Sequence, residues 1–149
     1  MRSEIKSPRN RTSSVDHLSV VCLGASAGGF EAYCTILSLL PADTGLAYII
    51  VHHQPAEGKS LLVDILSRRT EMPVVLVTDG ETVIADHVYV VPHGMQVTMD
   101  RDVFRLSALH KTSGWPKNIS VFLQSLAESA PVTSRGFCRS TFLSTVPLD

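Results

Sequence analysis

The chain has 149 residues, 44% of them hydrophobic, and a formal net charge of -1. This composition suits one domain with a buried core. With no net charge excess and no basic cluster interleaved with aromatics, it gives no reason to expect nucleic acid as a partner. No apolar run approaches the ~18 residues that cross a bilayer, so no membrane insertion is expected.

Residues 1–16 are polar and charged and lack the apolar stretch of a secretory signal, so they read as a disordered leader. Leu18 to Leu23 is a continuous, Val-rich apolar run, the pattern of a buried parallel strand. It stops at the small-residue turn Gly24-Ala25-Ser26-Ala27-Gly28. Phe30, Tyr33, Cys34, Leu37 and Leu40 then recur at helical spacing, and Pro41 ends that helix. "LAYIIV" from Leu46 to Val51 is a second buried strand running into His52 and His53. Pro55 and Gly58 break the chain before Leu61, Leu62, Ile65 and Leu66 mark a second amphipathic helix, closed by the basic Arg68 and Arg69.

Val74 to Val77 is a third strand, Asp79-Gly80 a turn, and His87 to Val91 a further strand. Met95 to Met99 and Val103 to Ser107 pair as a hairpin around Asp100-Arg101-Asp102. After a looser stretch from Leu109 to Lys117, Ile119, Phe122, Leu123 and Leu126 form a third helix. Alternating strands and helices define a doubly wound, mostly parallel α/β sheet of three layers, Rossmann-like in outline. From about Pro131 to Asp149 the sequence has no period of 2 or 3.6, and no further buried strand is found there. The sheet is therefore expected to be incomplete at its C-terminal end, with an irregular tail.

Of the three cysteines, Cys22 and Cys34 lie in apolar stretches and form no CxxC pair. Buried reduced thiols and a cytoplasmic location are the expectation. His17, His87, His93 and His110 have no evident partner and read as surface residues.

The turn at Gly24 to Gly28 fits G-x-S-x-G between a strand and a helix. Small neighbours allow a sharp turn that lifts the Ser26 hydroxyl above the sheet edge. The following helix N-terminus offers N–H groups and partial positive charge to an oxyanion. Ser26 is thus a candidate nucleophile. The competing readings are a helix-capping serine and a phosphate-cradling loop, since "GASAGG" approximates G-x-G-x-x-G. The latter lacks the acidic residue expected after the second strand.

Two parallel strands end at the same edge of a sheet, which puts Ser26 and the pair His52-His53 on one side. Adjacent residues of an extended chain point opposite ways, so at most one of the two imidazoles faces the serine. No HExxH or Cys/His spacing indicates a metal, and no cofactor motif is present.

The blocks "GASAGGFEA", "LPADTGLAYIIVHHQP", "LLVDILSRRTEMPV", "DGETVIADHVYVVP" and "VFLQSLAES" resemble, in order and spacing, the chemotaxis CheB-type protein-glutamate methylesterase domain. They look most like the form fused ahead of a CheR-type methyltransferase. The resemblance covers roughly Leu18 to Ser129, and with the stretches on either side it divides the chain into a leader (1–16), a partial methylesterase domain (17–130) and an aberrant tail (131–149). It implies a Ser-His-Asp hydrolase that demethylates glutamate methyl esters on chemoreceptors and deamidates certain glutamines. It assigns Ser26 as nucleophile and His53, rather than its neighbour His52, as base. The partners it implies are a methylated chemoreceptor and a CheR-type methyltransferase domain.

Two departures stand out. A polar leader occupies the place of the receiver domain found in well-known members, so phosphorylation control of that type is not expected within this chain. The family aspartate falls near position 145, where this sequence has Thr145. A shifted reading frame permits Leu-Ser around Phe137 to Arg139 and Asp-Gly around Ser144 to Val146, although not the glycine expected after Leu-Ser. The tail therefore reads either as an out-of-frame ending or as a divergent one. Asp79 is expected to serve its turn rather than to replace the missing acid.

Overall fold

The computed structural model describes residues 18–25, 29–52, 61–109, 118–129 and 141–145. The first apolar run forms strand β1 (Ser19–Ala25) and the helical pattern after the turn forms α1 (Phe30–Leu39). The second run is β2 (Leu46–His52), followed by α2 (Leu61–Ser67) and the short strands β3 (Val74–Leu76) and β4 (Val88–Val90). The hairpin is β5 (Met95–Asp100) with β6 (Val103–Ala108), and the third helix is α3 (Asn118–Ser129). A final strand, β7, spans Thr141–Thr145.

Five strands form one sheet in the order β3-β4-β2-β1-β7, and β5-β6 is a separate two-stranded sheet. Every pairing in the larger sheet is parallel. Strand alternation sorts the core onto two faces. Val20 and Cys22 of β1 with Ala47, Ile49 and Val51 of β2 pack with Phe122 and Leu126 of α3 and with Val97, Met99 and Phe104 of the hairpin. Leu23 of β1 with Tyr48 and Ile50 of β2 packs with Tyr33, Cys34 and Leu37 of α1 and Leu62 and Leu66 of α2. Both faces of the central strands are therefore covered, which is why β1 and β2 read as unbroken apolar runs rather than alternating ones.

The hairpin is tied to α3 by polar contacts as well as packing. The Met99 N–H donates to Ser125 Oγ at 3.1 Å, and Ser129 Oγ donates to the Met99 carbonyl. Arg101 takes a left-handed φ of 58° at the hairpin turn. At the N-terminal edge of the sheet Asp86, also left-handed at φ 60°, accepts the Gly45 N–H at 2.7 Å. Asp tolerates this conformation better than most residues.

Two sequence expectations are corrected. The tail is not irregular throughout, because Thr141–Thr145 pairs in parallel with Val21–Ala25 of β1. A strand at the sheet edge is held by main-chain hydrogen bonds to its one neighbour, so it needs no apolar period to declare it. Thr and Phe in this segment favour the extended chain. Second, His87 is not a partnerless surface residue. It is half-buried, its Nδ1 lies 2.9 Å from the Ala85 carbonyl, and its ring stacks on Tyr89. The free thiols Cys22 and Cys34 are both buried, as their apolar surroundings imply.

Candidate functional site

The site is built at the C-terminal edge of the sheet. The register pairs Ala25, the last residue of β1, with His52, the last residue of β2. On its other side Ala25 pairs with Thr145, the last residue of β7. Three strand ends thus meet side by side. The chain leaves β1 toward β2, β4 and β3 in one direction, then returns through α3 to β7 on the opposite side of β1. Such a reversal opens the crevice in which doubly wound proteins bind their ligands. α1 begins at Phe30, soon after β1 ends, so its N-terminal partial charge lies along the same edge.

Gly24 explains how closely the third helix approaches this turn. A Cβ there would lie 2.6 Å from Ile119 Cδ1 and 3.2 Å and 3.3 Å from two further Ile119 carbons. Without a side chain at Gly24, Ile119 of α3 packs directly on β1 one residue before the strand ends.

The candidate nucleophile Ser26 and candidate base His53 each directly follow the described strand ends and lie outside the described residues. His52 is described: its ring meets Tyr33 of α1 edge-on, with centroids 5.7 Å apart and planes at 70°. His52 therefore belongs to the α1 face, together with Tyr48 and Ile50 four and two residues earlier. The sequence marked Tyr33 only as a core position of an amphipathic helix. An apolar period reports burial and does not report which ring a buried tyrosine meets.

Asp79 is a turn residue. Its Oδ1 accepts the Leu106 N–H at 2.9 Å, joining the turn after β3 to the hairpin. β3 is two positions from β2, the strand that precedes His53. At ~4.8 Å per strand that separation is about 10 Å, too far for a direct bond between the two strand ends. Asp100 is exposed and lies 4.0 Å from exposed Arg105, a pair of little energetic weight.

Burial dominates the titration of the thiols. Cys22 is fully enclosed beneath α3, and desolvation pushes its thiol up to about 12. Cys34 is also raised by burial, with Arg69 opposing and Glu31 reinforcing the shift. Neither is a nucleophile poised for reaction near neutral pH. Among the described residues, no group of three or more His, Cys, Asp or Glu comes together to hold a metal, and no helix is long and apolar enough to cross a membrane.

A parallel sheet with helices on both faces, whose adjacent strands β1 and β2 end at one edge, defines an α/β protein of the doubly wound kind, which binds its ligands at that edge. The CheB methylesterase family model matches residues 21–135, and the chain belongs to that family.

The chain is 37% identical over 83 residues to a protein-glutamate methylesterase/protein-glutamine glutaminase 2 of Xanthomonas oryzae, covering 56% of this chain and 23% of that protein. It is 30% identical to a relative of the same printed name from Rhizobium johnstonii, over 87% of this chain and 36% of that protein. The chain thus spans well under half the length of these relatives. The catalytic domain of Thermotoga maritima CheB methylesterase superposes with a TM-score of 0.66 at 25% identity, covering 74% of this chain and 61% of that one.

Proposed function

We propose that this chain carries the hydrolytic site of a protein-glutamate methylesterase and protein-glutamine glutaminase, with Ser26 as nucleophile and His53 as base, acting on a methylated chemoreceptor. The observation that carries the reading is the register of Ala25 with His52. The neighbouring parallel strands that precede Ser26 and His53 end at the same level of the same edge. His52 is engaged by Tyr33, and this favours His53 as the imidazole that serves the serine.

The chemistry follows from these roles. Ser26 Oγ attacks the ester carbonyl carbon as His53 accepts the hydroxyl proton. The tetrahedral oxyanion is met by N–H groups of the turn and the α1 N-terminus. It collapses to an acyl-enzyme, and His53 returns the proton to the departing methanol. Water, deprotonated by His53, then releases the glutamate and restores the serine. With a glutamine substrate the leaving group is ammonia. The esters consumed must be made by a methyltransferase, so a CheR-type methyltransferase domain is the companion this reading assigns.

The reading also holds that hydrolysis is impaired. Thr145 pairs with Ala25 where the family acid is expected, and a threonine hydroxyl supplies no negative charge to hold the imidazole and stabilise its protonated form. We assign residues 17–130 to the methylesterase unit and 131–149 to an ending that diverges from the family or is read out of frame. This same observation favours a second reading, an inactive binding module with the partial fold.

The test is methanol release from receptor membranes carrying labelled methyl esters. The chain as it stands releases little. A chain whose ending carries Asp-Gly at 145–146 gains up to roughly four orders of magnitude, and Ser26→Ala in that background returns release to background. Release unchanged by Ser26→Ala removes the serine from its role, and no gain on restoring the acid favours the binding module.

A further inference from the structure

We propose that Tyr33 is a positioning residue for the hydrolytic site, acting through His52 to fix the direction in which residue 53 leaves β2. This rests on the reading of Ser26 and His53 as the reacting pair.

Tyr33 lies in the first turns of α1 and is 2% exposed, packed in the core face that α1 shares with Leu23, Tyr48 and Ile50. Its ring is packed into this core as it meets His52. His52 is the last residue of β2. A strand's last residue is its least constrained, since one side of it has no ladder to hold φ and ψ. Here the edge-on contact with Tyr33, at 5.7 Å and 70°, holds that last side chain to the α1 face. Aromatic pairs in this geometry add directional attraction beyond buried area.

Strand alternation then has a consequence. With His52 held to the α1 face, a continued extended chain directs the next residue to the opposite face. On that face Gly24 lies beneath Ile119 of α3. α1 thus contributes to the site twice, through its N-terminus and through one ring that sets the exit of the neighbouring strand. A wrong exit angle displaces the base by about an ångström, enough to slow a reaction between two side chains by tenfold or more.

The experiment uses a fluorophosphonate probe, which an activated serine attacks at phosphorus, expelling fluoride as the base takes the hydroxyl proton. Labelling rate at saturating probe and half-saturating concentration are measured in the chain whose ending carries Asp-Gly at 145–146, taken as wild type for this comparison, and in its Tyr33→Phe, Tyr33→Leu, His52→Leu and Tyr33→Leu/His52→Leu variants. Ser26→Ala is the reference for the site itself. Tyr33→Leu and His52→Leu should each lower the saturating rate about tenfold, with the half-saturating concentration unchanged. Tyr33→Phe, which keeps the ring, should lose less than Tyr33→Leu. The double variant should be no slower than either single one, because both remove the same contact.

Additive losses overturn the proposal, since they would mark Tyr33 as a core residue with no special link to His52. A saturating rate in Tyr33→Leu equal to wild type also overturns it. If Tyr33→Leu loses its circular-dichroism signature, His52→Leu decides alone: a tenfold loss supports the proposal and labelling within twofold refutes it. Failure of the underlying site is read separately. In that case Ser26→Ala labels like wild type, while the His52 ring protons still shift in NMR spectra on Tyr33→Leu substitution.

Discussion

β1 has two parallel neighbours, and they differ in almost every respect. β2 pairs along the whole of Ser19–Ala25 and is apolar from Leu46 to Val51, with its middle five residues buried. β7 pairs only along Val21–Ala25, lies at the sheet edge, and comes from a segment without a hydrophobic period. Yet both deliver a chain end to the same edge beside Ala25, one before a histidine and one at a threonine. A central strand is specified by what it buries on two faces. An edge strand can be specified by a free row of backbone donors and acceptors that needs a partner.

The largest effect expected from this comparison concerns the two histidines beyond β2. In a chain with its acid restored at position 145, His53→Gln should lower methanol release by about four orders of magnitude. His52→Gln should lower it by no more than about tenfold, since it disturbs orientation alone. The reverse ranking would exchange their roles.

Proline scanning tests the difference between central and edge strands directly. Adjacent amides of a strand point to opposite neighbours. In β2, with strands on both sides, Tyr48→Pro and Ile49→Pro should both destabilise the fold, each leaving a buried carbonyl without its donor at about 1–3 kcal/mol, before any clash is added. In β7, one of Phe142→Pro and Leu143→Pro should do so, and the other should be nearly silent because its N–H faces away from β1. Chemical denaturation of the four variants gives the answer. Two silent prolines in β7 would mean that the fold does not depend on its pairing.

Gly24 sharpens the same contrast from the helix side. Gly24→Ala forces Ile119 to move and should destabilise the fold by about 1–3 kcal/mol, the range for overpacking. Ile119→Ala in the same chain should recover part of that loss, measured as a shift in the denaturation midpoint.

One effect is nil at neutral pH and confined to alkaline pH. The Cys22 thiol titrates near its ordinary value of 9.0 when unfolded and is pushed up to about 12 by burial when folded. Below pH 9 both states keep the proton and stability is independent of this group. Above it the unfolded chain ionises first, so stability falls as pH rises toward the folded value, with a slope of up to about 1.4 kcal/mol per pH unit. Subtracting the profile of Cys22→Ala should isolate that slope, and equal profiles would show that Cys22 is solvated in the native chain.

The sequence by itself determined the elements that bury side chains on a regular period. β1, β2, α1, α2, α3 and the β5-β6 hairpin are legible because burial forces a period of 3.6, an alternation or an unbroken apolar run. It also marked the turn around Ser26 and the His52-His53 pair as candidates, since a G-x-S-x-G pattern and imidazoles after neighbouring parallel strands fall at one edge of the sheet. Tertiary structure decided what has no local signature. That β7 pairs with β1, that Tyr33 meets the ring of His52, that Asp79 spends its carboxylate on the Leu106 amide, and that Ile119 requires Gly24 to lack a side chain are all contacts between residues distant in the chain or on different elements. Periodicity reports how much of a residue is buried, and only the packed molecule fixes which partner buries it.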